Sequence, residues 1–355
     1  MSKQITLDML DDIAAGAAFL ATGGGGDPYL ACLCAKEGLK QYGPATMIAP
    51  TDLADDAFVI AVGGVGAPTT SLELLPSVDE AARVAEAYAK EVGCTPDALV
   101  SFEIGGANSL IPMVAAAALG IPLIDGDGMG RALPEATMMT YAIAGIAPTP
   151  AVGLDYVGNI ERFDAKDVQA YEPMIRRFAM ERGGMAVSAE FGMSGAELKA
   201  CIVPETVSLS QRLGAYLRAG EGNAAEREEH LAELFDGSIY GKLELIASGL
   251  VTDYTSTVVG GYDVGQAMIE SSVAGEPIMK VAVKNEYLSL RQGNELIACL
   301  PDLITIVDFE TGWPINAERL RFGMRVGIFR IRSPAHYTSP GGMAALKELI
   351  TVAQS

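Results

Sequence analysis

Three stretches of this chain follow one plan: an apolar run, a glycine-rich polar loop, then a helical pattern. Phe58-Val59-Ile60-Ala61-Val62 runs into Gly63-Gly64-Val65-Gly66-Ala67-Pro68. Ala98-Leu99-Val100-Ser101-Phe102 runs into Glu103-Ile104-Gly105-Gly106-Ala107-Asn108, with a helix expected over 109–119. Ile121-Pro122-Leu123-Ile124 runs into the long loop Asp125 to Glu135. Apolar runs without alternation are what strands buried on both faces require. Their alternation with helices predicts an α/β unit, a mainly parallel sheet with helices on both faces. In such sheets ligands gather beyond the carboxyl ends of the strands, where all three loops lie.

A fourth glycine-rich stretch precedes them, Thr22-Gly23-Gly24-Gly25-Gly26-Asp27-Pro28. Leu10, Ile13, Ala14, Ala17 and Leu20 predict a helix entering it, with Thr6 as N-cap, and Tyr29 to Tyr42 predicts one leaving it. Ala14 to Ala18 are small enough for close packing on a neighbour. Four glycines free the backbone to take positive φ and to point amides at an anionic or carbonyl oxygen. Asp27 suits an N-cap and Pro28 a first helical position. No Lys-Ser/Thr follows and no strand precedes, so neither a Walker A loop nor a dinucleotide fingerprint is present. A tight helix–helix turn is the plainer use of the same residues.

The second half changes texture. Helices are expected over 164–182, 205–219 and 224–235, with a capping box at Ser77 and Glu80 for an earlier one ending near Val92. From Tyr240 onward, short strand-like runs separated by turn residues predict an antiparallel sandwich or barrel-like unit, closed by a helical tail. With 355 residues, two domains are expected: 1–165, α/β, and 166–355, helical then β-rich. The net charge of −20 argues against nucleic acid and anionic membrane surfaces as partners. Five scattered cysteines and no secretory signal predict reduced thiols in the cytoplasm. Two histidines exclude a multi-histidine metal site.

Four segments together resemble the S-methyl thiohydantoin desulfurase family, whose members are often named as hydantoinase-associated proteins. They are Thr22–Tyr29 (TGGGGDPY), Gly63–Pro68 (GGVGAP), Glu103–Asn108 (EIGGAN) and Asp125–Glu135 (DGDGMGRALPE). The likeness continues through Leu209–Gly214, Lys284-Asn285-Glu286, Pro301–Ile304 and Thr311–Ile315, so it spans nearly the whole chain. It implies an α/β domain joined to a β-rich one. It also implies hydrolysis of a hydantoin-like five-membered ring: water adds at C2 of an S-methylated thiohydantoin and methanethiol leaves. A non-catalytic subunit of a hydantoinase or oxoprolinase enzyme is the competing reading. A nucleotide-dependent enzyme is a third, and it lacks a phosphate-binding lysine. A homo-oligomer acting on a small cyclic amide or amidine is expected.

Such a reaction needs a base for water, a donor for the leaving group and a holder of developing charge. Asp127 is favoured as base, with Asp125 as alternative, although an Asp in a glycine-rich loop also serves as a turn former. Glu103 is the second carboxylate, since two neighbouring carboxylates split into an acid and a base. A core pairing with Arg131 would explain it equally well. Arg131 could fork onto a substrate carboxylate. Asn108 could bond a ring amide or cap a helix. Glu135 suits the site or a helix's first turn. The amides of Gly24, Gly25 and Gly26, with Asp27, could bind the ring carbonyl. Lys284, Asn285 and Glu286 reach the site or form a charged loop. No cofactor is required, but Asp127, Glu103 and Asp27 are the natural ligands if a divalent metal is used. Cys32, Cys34, Cys201 and Cys299 lie in apolar stretches and are expected to be inert.

Overall fold

The computed structural model describes residues 2–26, 28–67 and 77–354. Two sheets organise them. The first contains β1 (Lys3–Ile5), β2 (Ala45–Ile48), β3 (Phe58–Gly66), β4 (Ala98–Ser101), β5 (Leu123–Asp127), β6 (Ala151–Asp155), β7 (Ile160–Phe163), β8 (Met185–Ser194) and β9 (Val203–Pro204). Their order is β1-β2-β5-β4-β3-β8-β6-β7, with β9 beside β5. Only β2-β5, β5-β4 and β4-β3 pair in parallel. The expected mainly parallel sheet is therefore a mixed one. The parallel part is the strand–loop–helix repeat itself, and β8 runs antiparallel along all of β3.

The apolar runs are buried on both faces, as their lack of alternation requires. Ile60 and Val62 join one hydrophobic core while Val59 and Ala61 join the core on the opposite face. The helices Leu10–Leu20, Pro28–Tyr42, Glu80–Val92 and Ile111–Leu119 cover the first face. Val168–Glu181 and Gly195–Cys201 cover the second. The division expected at residue 165 does not end this sheet, because β8 and β9 come from beyond it.

The small residues of the first helix do bring a neighbour close. A Cβ on Gly16 would lie 1.8 Å from the Ser210 carbonyl oxygen, and one on Gly214 would lie 1.7 Å from that of Asp12. The helices Leu10–Leu20 and Thr206–Ala219 thus touch backbone to backbone, and glycine is required at both positions.

The second sheet holds β10 (Leu243–Val259), β11 (Tyr262–Ser271), β12 (Met279–Lys284), β13 (Glu286–Gln292), β14 (Glu295–Cys299), β15 (Leu303–Asp308) and β16 (Arg325–Ile331). It is antiparallel in the order β14-β13-β12-β11-β10-β16-β15. Its outermost strands β14 and β15 approach each other, so it is one curled sheet and not a sandwich of two. The short runs expected after Tyr240 begin with one long strand, β10, which absorbs its irregular stretches as register shifts. Two end signals also differ from expectation. Thr6 makes no side-chain cap, and Ser77 donates to Asp79 instead of closing a capping box. Capping boxes stand at Ser194–Glu197 and Asn223–Glu226. No helix among the described residues is long and apolar enough to cross a membrane.

Candidate active site

The glycine run Thr22–Gly26 lies between the two sheets, and its carbonyls serve as mooring points. The Thr22 carbonyl accepts from Tyr287 N at 2.7 Å, Gly23 from Ala317 N at 2.9 Å, Gly25 from Ala107 N at 2.8 Å and Gly26 from Asn316 Nδ2 at 3.1 Å. A Cβ on Gly25, at φ +72°, would lie 2.3 Å from the Gly105 carbonyl oxygen. Two glycine loops therefore press backbone on backbone, which explains four glycines where a simple turn needs fewer. Gly24 spends its N–H on Ala21, while Gly25 and Gly26 line a cavity. Asp27 lies outside the described residues.

That cavity holds about 100 Å³ and is partly open to solvent. Gly64 to Gly66 at the end of β3, Phe102 and Glu103 after β4, and Met129, Leu133 and Glu135 after β5 all face it. The four glycine-rich segments thus meet around one space, at the carboxyl ends of the parallel strands. The second sheet closes it with Asn285 and Glu286. Glu172 and Arg176 come from Val168–Glu181, and Ser188 and Glu190 from β8.

Glu103 sits on the wall, 5% exposed. Its Oε1 accepts from Asn108 Nδ2 at 2.7 Å, and its Oε2 from Leu133 N at 3.0 Å. Asn108 is locked in turn, since its Oδ1 accepts from Gly64 N at 2.7 Å. Burial pushes the Glu103 carboxyl up to about 8 against these two donors; the Asp127 charge adds to the rise and the Arg131 charge opposes it.

Glu286 is 2% exposed and has no such support. Its Oε2 has no hydrogen-bond partner among the described residues. Its Oε1 rests on the glycine run, where a Cβ on Gly24 would lie 2.2 Å away. Burial holds this carboxyl well above its ordinary range; the Glu103 charge adds to the rise and Arg131 opposes it. Asn285 aims Glu286 inward by taking φ 60°, a left-handed conformation that asparagine tolerates better than most residues. Its side chain accepts from Asp263 N at 2.8 Å.

On the far wall Glu190 accepts from the Tyr171 hydroxyl, and burial raises its carboxyl to about 8. Two cations near the cavity are matched. Arg176 Nη2 lies 2.7 Å from Glu172 Oε1, and Lys284 Nζ lies 2.9 Å from Glu135 Oε1. Burial alone would raise Glu135, but Lys284 and the Tyr262 hydroxyl outweigh it and leave the carboxyl below its ordinary value.

Three expected site residues are placed elsewhere. Asp127 does not line the cavity; it is fully buried, and its Oδ1 accepts from Met129 N and Gly130 N, both at 2.6 Å. Its own loop has taken Oδ1, as a turn-forming Asp does, while Oδ2 has no hydrogen-bond partner among the described residues and burial raises the carboxyl to about 7. Asp125 caps the helix Thr206–Ala219 by accepting from Ser208 N at 3.0 Å and from the Ser208 hydroxyl. Arg131, 1% exposed, donates to the carbonyls of Pro301 and Asp302 at 3.2 and 3.0 Å and to Thr22 Oγ1 at 2.8 Å. Its fork ties the glycine run to the second sheet and is not turned toward a ligand.

Among the described residues no three His, Cys, Asp or Glu side chains form a group suited to a metal ion. Burial raises the thiols of Cys32, Cys34, Cys201 and Cys299, which are buried or half-buried. Sequence reading missed Glu172, Arg176 and Glu190. The first two sit i, i+4 on the same stripe as Tyr171, Ile175 and Phe178, a charged pair set into an apolar helix face. That intrusion was the available signal.

Fold and site define a two-sheet protein with an acidic cavity at the carboxyl ends of the parallel strands, walled by glycine loops. The chain belongs to the S-Me-THD-like family, S-methyl thiohydantoin desulfurase-like proteins: residues 8–165 match its N-terminal domain and residues 165–347 its C-terminal domain. The fold resembles a crystal structure of a protein from Chromobacterium violaceum, with a TM-score of 0.84 at 22% identity over 99% of this chain and 97% of that one. No curated protein matches the chain.

Proposed function

We propose that this chain is a hydrolase that adds water to C2 of a hydantoin-like ring, an S-methylated thiohydantoin, and releases methanethiol. The observation that carries the reading is a pair of buried carboxyls on one cavity with unequal support. Glu103 is hydrogen-bonded at both oxygens by N–H donors, which oppose the burial that raises it to about 8, so it ionises as pH approaches that value. Glu286 lacks a partner at Oε2 among the described residues and the Glu103 charge raises it further, so it keeps its proton when Glu103 ionises.

The roles follow from the protonation states. Glu103 takes a proton from water as the oxygen bonds to C2, and Glu286 protonates the ring nitrogen. Glu286 then recovers the hydroxyl proton as the C2 carbonyl forms. Glu103 returns its proton to sulfur as the carbon–sulfur bond breaks. One water is consumed, and its two hydrogens end on nitrogen and sulfur. Asn108 holds Glu103 in place, and Gly25 and Gly26 border the ring space.

Incubating the purified chain with an S-methyl thiohydantoin and measuring methanethiol tests this. The wild type should release the thiol, and Glu103→Gln should lower kcat by about 10²–10⁴-fold. An inert wild type, or a Glu103→Gln variant of undiminished rate, removes the reading. An inert chain that co-purifies with a hydantoinase supports the accessory-subunit alternative.

A further inference from the structure

Four consecutive residues after β5 each hold a different partner. Leu133 N donates to Glu103 Oε2 at 3.0 Å. The Pro134 carbonyl accepts from Arg176 Nη2 at 2.5 Å. Glu135 Oε1 accepts from Lys284 Nζ at 2.9 Å and from the Tyr262 hydroxyl at 3.2 Å. Ala136 N donates to Glu172 Oε2 at 2.8 Å. One short segment thus touches the proposed base, the helix Val168–Glu181 and two strands of the second sheet.

On the second sheet, Lys284 ends β12 and Glu286 begins β13, and the two pair in the antiparallel register. Residues paired across strands carry their side chains to one face. The lysine that grips Glu135 and the carboxyl proposed as acid therefore belong to one turn. Asn285 braces that turn, donating its N–H to the Asp263 carbonyl at 2.7 Å and accepting at Oδ1 from Asp263 N at 2.8 Å. Tyr262 covers the ion pair: its ring centroid lies 4.1 Å from Lys284 Nζ and 4.0 Å from Arg176 Cζ. Arg176 Nη1 also donates to the Gly261 carbonyl at 3.3 Å, which fastens the β10–β11 turn to the helix Val168–Glu181. Burial would raise the Glu135 carboxyl, but Lys284 and the Tyr262 hydroxyl outweigh it, so Glu135 carries its charge at neutral pH.

We propose that Glu135 and Lys284 are positioning residues: their ion pair ties the turn that carries Glu286 to the loop that donates to Glu103. The inference rests on the function proposed above, and neither residue has to touch substrate for it to hold. The two side chains are 22% and 21% exposed, and a pair that accessible to water contributes little to stability. Its effect falls on where the acid stands relative to the base, and a misplacement of about 1 Å costs about 10²-fold in rate.

Kinetics of methanethiol release from an S-methyl thiohydantoin test this in Lys284→Met, Glu135→Met and the double variant. Each single variant should lower kcat by about 10–100-fold and leave KM within about twofold of wild type. The double variant should be no slower than the slower single one, because the same tie is lost in each. Lys284→Arg, which keeps the charge, should recover most of kcat, and melting temperatures should stay close to wild type throughout. Where Lys284→Met fails to fold, Glu135→Met and Lys284→Arg carry the test. A raised KM with unchanged kcat makes the pair a substrate contact, multiplied losses in the double variant make the two residues independent, and full kcat in both single variants makes the tie idle. Each of these overturns the inference and leaves the desulfurase reading in place. A wild type that releases no methanethiol overturns that reading, and the inference with it.

Discussion

Replacing Glu103 by Gln should change stability in opposite directions at the two ends of the pH range. Burial raises the Glu103 carboxyl from its ordinary 4.5 to about 8. A group raised on folding stabilises the native state fully below its unfolded pKa, and that contribution is lost as pH climbs through the folded one. Each tenfold change in proton affinity is about 1.4 kcal/mol, so ionising Glu103 in place costs the fold about 5 kcal/mol. Gln is never ionised and escapes this cost. It brings another, because Asn108 Nδ2 and Leu133 N both donate here and one of them would meet the amide NH₂. Asn108 cannot turn over to relieve it, since its Oδ1 holds Gly64 N. That mismatch costs about 1–3 kcal/mol at any pH. Near pH 5 the variant should be less stable than the wild type; near pH 9 it should be more stable by about 2–4 kcal/mol. Glu190, Glu286 and Asp127 are raised in both proteins and largely cancel in the difference. Urea denaturation at about pH 5, 7 and 9 measures it. A difference that stays flat within about 1 kcal/mol across that range would falsify the buried-carboxyl argument.

Two further outcomes follow from the same geometry. In the wild type kcat/KM should rise with pH and level off above about 8, as Glu103 becomes ionised in the free protein; a rate that falls steadily from about pH 5 upward would assign the base elsewhere. Gly214→Val should lower stability by about 3 kcal/mol, because its Cβ would lie 1.7 Å from the Asp12 carbonyl oxygen and the two helices must part. Thermal unfolding reads this, and a Tm unchanged from wild type would mean that the contact is not tight.

The parallel heart of the fold was legible because burial on both faces leaves a plain trace, as in Phe58–Val62 and Ala98–Phe102. β8 left no such trace. Met185–Ser194 mixes Ala, Ser, Gly and Glu with Val, Phe and Met, so neither an apolar run nor a clean alternation marks it. Its burial comes from lying between β3 and β6, a tertiary circumstance that local pattern does not encode. The same holds for β13, whose Tyr287, Leu288 and Leu290 are buried because the sheet curls back over the glycine run.

The site divides along a similar line. Glycine-rich loops at strand ends marked the place, since close backbone approach demands glycine whatever the partner is. The assignment of work within those loops depends on which side chains the loop itself consumes. Asp127 and Glu103 both follow apolar strands, and nothing in their spacing separates them. Two residues beyond Asp127, backbone N–H groups turn back to take one oxygen of its carboxylate. Beyond Glu103 the chain turns away into Gly105 and Gly106, and the donors come from Asn108 and from the next loop at Leu133. Asp127 has one oxygen held by its own turn, whereas Glu103 has one oxygen held by the far end of its own loop and the other by the next loop, so its position depends on both. Glu286 makes the same point from the second sheet: it reaches the cavity only because Asn285 adopts a left-handed backbone beside Asp263. The candidate acid and base therefore arrive from different sheets, and the hydrogen bond from Tyr287 N to the Thr22 carbonyl ties the strand that carries Glu286 to the glycine run.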